Sequence, residues 1–168
     1  MPTAPVLTAS DLSPADLAAC LDSRSWQDAV LAGAPYADAA SLLASADAAA
    51  RGLPDAEVLA ALHAHPRIGE RPAGEGVSEA FSRREQSGVD AGASTAARLA
   101  ASNAAYEARF GHVFLVRAAG RSAEEVLAAL EQRLGHDPAT EVVVAREQLR
   151  EIALGRLASL LGVAAPWA

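Results

Sequence analysis

The chain has 168 residues, 51% hydrophobic but only 4% aromatic, with a formal charge of −7 and one cysteine, Cys20. That length suits a single domain spanning 1–168, which buries roughly 70% of the surface of its unfolded chain. The acidic balance and the lack of a Lys/Arg-rich run argue against nucleic acid as a partner, and no apolar run approaches the about 18 residues of a membrane span.

Helical signals dominate along the chain. Ser13-Pro14 is a cap followed by a proline at the first helical position, opening a helix over Ala15 to Leu21. Ser25 is positioned to cap a short helix from Trp26 to Leu31, with Gly33 after it. Pro35 precedes an alanine-rich helix from Tyr36 to Arg51, closed by Gly52. Pro54-Asp55 starts another, running through Val58, Leu59 and Leu62 to His63. A residue before proline is pushed out of α geometry, so His65, before Pro66, falls just past that helix.

Arg71 to Val77 holds Pro72, Gly74 and Gly76 and reads as a loop. Ser78 then caps Glu79 to Ser87, and a longer helix runs from Ser94 to Phe110 with Gly111 as its stop. Val113-Phe114-Leu115-Val116 is an apolar run too short to classify by period and reads as one short extended segment, ended by Gly120. Ser122 and Glu125 form a capping box for Ala123 to Leu134, and a final helix covers Pro138 to Leu161. The expected fold is all-α, a single compact domain of seven to nine helices with flexible ends at 1–11 and 162–168. No basic-plus-apolar leader opens the chain, its last residues are not a peroxisomal address, and the lone cysteine points to a reducing cytoplasm.

Three places break the amphipathic logic. His63 and His65 are two apart, so on a helix they point to different faces and would not share a metal; a bent path after Ala64 could change this, but no carboxylate or third histidine stands at obvious ligand spacing. His65 either caps the helix C-terminus as an imidazolium or projects into a cleft for acid–base work. Ser82, Glu85 and Gln86 lie at i, i+3 and i+4 and share one helix face, which is either a solvated surface or a pocket wall. Arg156 falls on the apolar stripe of the last helix, with Val142, Ala145, Leu149, Ile152, Ala153, Leu157 and Leu160. It either snorkels to the surface along its stem or faces a polar cavity and holds an anion or a carbonyl.

His65-Pro66-Arg67-Ile68-Gly69-Glu70, Ser82-x-x-Glu85-Gln86-x-Gly88, Asn103-x-x-Tyr106-Glu107-x-Arg109-Phe110-Gly111, Phe114-Leu115-Val116 and Arg156-Leu157, in this order, resemble the OHCU decarboxylase family. The resemblance runs from Leu12 to Leu161. It implies a cofactor-free all-α enzyme, a homodimer, that decarboxylates 2-oxo-4-hydroxy-4-carboxy-5-ureidoimidazoline (OHCU) to (S)-allantoin in urate breakdown. It matches His65 and Glu85 to the catalytic pair. Pro66, Ser82, Gln86 and Arg156 match substrate-contacting positions, and the backbone of Phe114, Leu115 and Val116 matches a segment that hydrogen-bonds the substrate. The chain departs from the family at His112, where an aromatic is common, and at Arg117, where a small or neutral residue is more usual.

Under that resemblance, the electron pair released with CO2 is taken up by the substrate's own C=N unit, so no metal or organic cofactor is required. The protein must hold the ring, favour the developing charge and deliver one proton to one face. A carboxylate at Glu85 near His65 would favour the imidazolium, and either group could deliver the proton. Two other readings remain: a non-enzymatic helical module that binds a ureide or purine ring, and a decarboxylase of a related ring substrate.

Overall fold

The structure is a computed structural model that describes residues 7–70, 76–89 and 92–167. Among these there are eight α-helices: α1 (Pro14–Cys20), α2 (Arg24–Ala32), α3 (Ala39–Arg51), α4 (Asp55–Leu62), α5 (Val77–Glu85), α6 (Ala93–Phe110), α7 (Ala123–Arg133) and α8 (Pro138–Leu160). No strand occurs among the described residues; a lone antiparallel bridge joins Leu7 to Tyr36. The all-α expectation holds, and the apolar run at 113–116 is extended but pairs with no strand among the described residues. Most of the loop expected from Arg71 lies outside the described residues, as does much of the N-terminal end.

Helix starts follow local side-chain chemistry. Ser13 accepts the Ala15 amide at 3.2 Å with Pro14 at the first helical position, and Ser122 with Glu125 forms the full capping box. Three starts differ from the sequence reading. Ser23 rather than Ser25 caps α2: the Ser23 oxygen accepts the Trp26 amide at 3.3 Å, while both serine hydroxyls donate to Glu57. Asp38 caps α3, and Tyr36 is buried before it, donating its hydroxyl to the Val30 carbonyl at 2.6 Å. Helix α5 starts at Val77 behind Gly76, with no side-chain cap. Gly111 ends α6 in the left-handed region at φ 75°, where a glycine carries no Cβ penalty.

Helix α8 is the axis of the fold and packs against α1, α3 and α4, while α6 packs on α7. The buried apolar residues gather in two clusters. One joins α1 to α4 with α8 through Leu17, Trp26, Leu42, Leu62, Leu149 and Leu157. The other joins Ile68, Leu99 and Tyr106 to Val126 and Leu130. The extended run stitches them together: Phe114 and Val116 enter the second cluster and Leu115 the first. Alternation of successive side chains to opposite faces is the signature of extended backbone. Leu160, expected in the buried stripe of α8, is 41% exposed, because the packed face of the helix ends at Ala158.

Candidate active site

Arg156 comes from the packed face of α8 and is 4% exposed. A buried guanidinium is tolerated only with its donors satisfied. Nε and Nη2 donate to the two Glu85 carboxylate oxygens at 2.7 and 2.9 Å, a fork-on-fork pair. Nη2 also donates to Ser82 Oγ at 3.2 Å, and Nη1 to the Ala19 carbonyl at the end of α1 at 2.9 Å. Arg156 therefore does not snorkel; the anion it holds is Glu85, from α5. The i, i+3 spacing of Ser82 and Glu85 aims both at it.

Gln86 does not join them. It is the C-cap of α5, and its Oε1 accepts the Gly69 amide at 3.0 Å. With Asn103 donating to the Ile68 carbonyl at 3.0 Å and Glu107 accepting from Arg67 at 2.5 and 2.8 Å, it pins the turn after Pro66. Gly69 sits at φ 89°, and a Cβ there would stand 2.8 Å from Leu99, so this tight turn requires glycine. These residues border a separate open cleft between the turn and α6.

His65 lies past α4, where successive amides reach back three residues: Ala64 to Ala61 and His65 to Leu62. Its Nδ1–H donates to the Ala61 carbonyl at 3.0 Å, meeting one of the acceptors a helix end leaves open. A carbonyl only accepts, so this bond places the neutral ring's lone pair on Nε2. That atom is buried and has no hydrogen-bond partner among the described residues. Burial first, and the Arg156 charge second, bring the imidazole down from its ordinary range to about 4, against the opposing pull of Ala61. The ring is therefore neutral near pH 7. It caps the helix as expected, but not as an imidazolium, and the carboxylate expected to favour that charge is engaged by Arg156. His63, exposed, bonds its own turn at Leu59.

A cavity of about 350 Å³ opens beside the Arg156–Glu85 pair. Phe81, Arg84, Ile152, Arg117 and Trp167 contribute to its walls. Its charged lining is Arg84, Arg117 and Arg156 against Glu85 and Glu151, three cations to two anions, a net +1. Residues 117–120 line it; Phe114, Leu115 and Val116, expected there, are buried behind them. His65 feels the Arg156 charge, but neither it nor Pro66 lines this cavity. Among the described residues, no group of three or more His, Cys, Asp or Glu side chains could hold a metal ion.

The sequence reading missed a buried polar cluster behind the extended run. Glu141, fully buried, accepts from Arg133 Nε at 2.8 Å and Nη2 at 2.5 Å, from His136 Nδ1 at 2.9 Å and from the Tyr106 hydroxyl. Arg133 Nη1 donates to the Leu115 carbonyl at 2.6 Å, and its guanidinium lies over the Phe114 ring at 4.5 Å. The signal was present: Glu141 is four before Ala145 on the α8 stripe, the argument that singled out Arg156. His112 is buried against Tyr106 and bonds the Val113 carbonyl at 3.1 Å.

Residues 10–158 match the family model described as OHCU decarboxylase. A 2-oxo-4-hydroxy-4-carboxy-5-ureidoimidazoline decarboxylase from Amia calva is 36% identical over 138 residues, covering 79% of this chain and 78% of its own length. The uric acid degradation bifunctional protein TTL of Arabidopsis thaliana is 36% identical over 107 residues, 61% of this chain and 33% of that longer protein. A crystal structure of OHCU decarboxylase in the presence of (S)-allantoin superposes with a TM-score of 0.75 at 24% identity, covering 88% of this chain and 97% of that one. A crystal structure of (S)-allantoin synthase gives 0.66, also at 24% identity, over 92% of this chain and 54% of that one. At that identity the two structures speak for the fold.

Proposed function

Since the chain belongs to the OHCU decarboxylase family, we propose that it decarboxylates OHCU to (S)-allantoin in the breakdown of urate. The observation in the structure that carries this reading is His65: one nitrogen is fixed as a donor by Ala61, and the other is a buried acceptor with no described partner. A buried acceptor left unpaired costs about 1–3 kcal/mol, which a substrate hydroxyl would recover on binding. The cavity lined by the Arg156–Glu85 pair, whose guanidinium links it to His65, carries a net positive lining that suits a monoanionic substrate leaving as a neutral product.

The substrate carries a hydroxyl and a carboxylate on one ring carbon, next to a C=N carbon that bears the ureido group. Breaking the bond to the carboxylate releases CO2. The electron pair forms a carbon–carbon double bond as the C=N electrons move onto nitrogen, which takes a proton. The hydroxyl then loses its proton and becomes the ketone, and the neighbouring carbon is protonated on one face. In this proposal His65 Nε2 takes the hydroxyl proton. The imidazolium so formed, with its value near 4, is a strong acid that can return the proton to carbon.

The Glu85–Arg156 pair acts with Ser82 as a pre-organised wall that holds the ring and ureido oxygens through donors remaining on Ser82 and Arg156. Pro66 fixes the exit of the chain from His65, Gln86 holds the turn that follows, and the backbone of Phe114, Leu115 and Val116 supports the wall formed by residues 117–120. No cofactor is needed because the substrate carries its own electron sink. The reading is completed by a homodimer and a cytoplasmic location, which rest on the family resemblance and the lone cysteine; light scattering and cell fractionation test them.

The test adds the protein to freshly oxidised urate and follows chiral allantoin by circular dichroism. An (S)-allantoin signal that outpaces spontaneous decay is expected. A racemic product formed at the uncatalysed rate would refute the reading.

A further inference from the structure

The family match ends at residue 158, two residues before the end of α8 at Leu160, and a further segment follows the helix. Gly162 turns the chain at φ 66°, its amide reaching the Ser159 carbonyl at 3.2 Å and that of Val163 reaching Ala158 at 3.0 Å. These paired bonds are a Schellman turn, which reverses direction at a helix end. The returning chain packs Ala165 against the first apolar cluster and delivers Trp167 to the same cavity that Glu85 and Arg156 line.

Trp167 is held there by two neighbours. Its ring rests on α8 at Gly155, where a Cβ would stand 3.4 Å from Cζ2. The Arg117 guanidinium lies over the ring, 5.4 Å from its centroid. Arg117 is fixed in turn: its Nε donates to Glu151 Oε2 and its backbone amide to Gln148 Oε1, both at 2.8 Å. Gln148, Glu151 and Gly155 are three and four residues apart, so one face of α8 organises this whole side of the cavity. The indole remains 38% exposed, although an aromatic of this size is usually well covered.

We propose that residues 162–167 form the outer wall of the substrate cavity, with Trp167 as a specificity-determining residue that encloses a planar ureide ring and Arg117 as the positioning residue that holds the indole. The proposal rests on the decarboxylase reading. The ring gains contact area against the indole, and the bound ring is shielded from water while its carbon awaits a proton.

Trp167 can be watched directly. The other tryptophan, Trp26, is fully buried and donates to the Ala46 carbonyl at 3.0 Å, so iodide quenching reports on Trp167. (S)-allantoin should protect wild-type fluorescence from iodide. Trp167→Ala should raise KM about tenfold with kcat near wild type, and Trp167→Phe should restore most of the loss. Arg117→Gln should weaken the protection. A folded Trp167→Ala with unchanged KM, or an indole equally open to iodide with and without allantoin, overturns the wall while leaving the functional reading intact. Absence of (S)-allantoin from the wild-type reaction overturns the functional reading, and this proposal with it.

Discussion

Arg156 grips Glu85 through two parallel hydrogen bonds of 2.7 and 2.9 Å, and the same cation opposes a charge on His65. One residue thus neutralises the carboxylate of the proposed pair and, second to burial, helps to keep its imidazole neutral. The two groups of the motif do not form an ion pair with each other. They are linked through a third residue that has its own buried contacts.

The pH profile should show this first. With His65 active as a neutral base and titrating near 4, kcat/KM should stay flat from about pH 7 to 5 and fall only below that. An acidic limb near pH 6.5 would mean an ordinary, solvated imidazole. His65→Ala should lower kcat about 10²-fold or more while the fold persists, whereas His63→Ala should retain most activity.

Stability carries the same signature. The unfolded imidazole takes its proton near 6.5 and the folded one near 4, so the unfolded state binds more protons between these values. Stability should therefore rise with pH across this window. Urea midpoints should decline from pH 6.5 toward 4, and the His65→Ala protein should show a shallower decline.

Glu85→Gln removes charge at nearly constant shape and leaves the Arg156 cation with Ser82, the Ala19 carbonyl and a neutral amide. Breaking a buried pair costs 3–5 kcal/mol, but Glu85 is 24% exposed at its side chain, so about 2 kcal/mol is expected. The unbalanced cation should push the His65 limb to still lower pH. Thermal unfolding and the pH–rate profile check both effects; an unchanged melting temperature would mean that the carboxylate is not the main partner of Arg156.

Arg156→Lys keeps the charge but not the fork. An ammonium cannot serve Glu85, Ser82 and the Ala19 carbonyl in their present geometry, so stability as well as rate should fall. The loss in kcat/KM should be about 10- to 150-fold, with a stability cost of about 2 kcal/mol seen by denaturant titration. Full stability would restore the snorkelling picture of an arginine that merely passes its head to solvent.

The Glu141 cluster makes an independent prediction. Burial alone raises this carboxyl, but hydrogen bonds from Arg133, Tyr106 and His136 bring it below its ordinary range. Its stabilising share is therefore present above about pH 4.5 and lost as pH falls through the folded value. Glu141→Gln should cost about 3 kcal/mol, because it leaves the Arg133 guanidinium buried without its counter-charge. It should also raise KM, since Arg133 anchors the Leu115 carbonyl behind the cavity wall. Equilibrium unfolding and steady-state kinetics measure the two effects.

Helix positions were legible because caps, prolines and glycines mark them locally. Ser13-Pro14, the Ser122–Glu125 box and Gly111 all act where the sequence placed them. The misplaced starts lie where two residues with cap chemistry stand close together, as Ser23 and Ser25 do before α2, or where the helix begins with no side-chain cap, as α5 does behind Gly76. At the site, periodicity brought Ser82, Glu85 and Arg156 to one place. It could not tell that Gln86, at the end of its helix, would turn to Gly69, nor that Arg156 would stand between Glu85 and His65. Those are matters of how α5 and α8 meet, and helical period carries no information about that. The Arg133–Glu141 pair was within reach of the same stripe argument.

The alternation of Phe114, Leu115 and Val116 between the two apolar clusters also bears on how this chain can change over generations. Loss or gain of one residue inside the tripeptide would send every side chain to the wrong cluster and shift the carbonyl that Arg133 holds. A two-residue change would restore the faces but displace the wall at 117–120. Length variation in this loop is therefore permitted only at its ends, toward Gly111 and Gly120, and lineages that lengthen it there should keep the spacing from Phe114 to Ala118 intact.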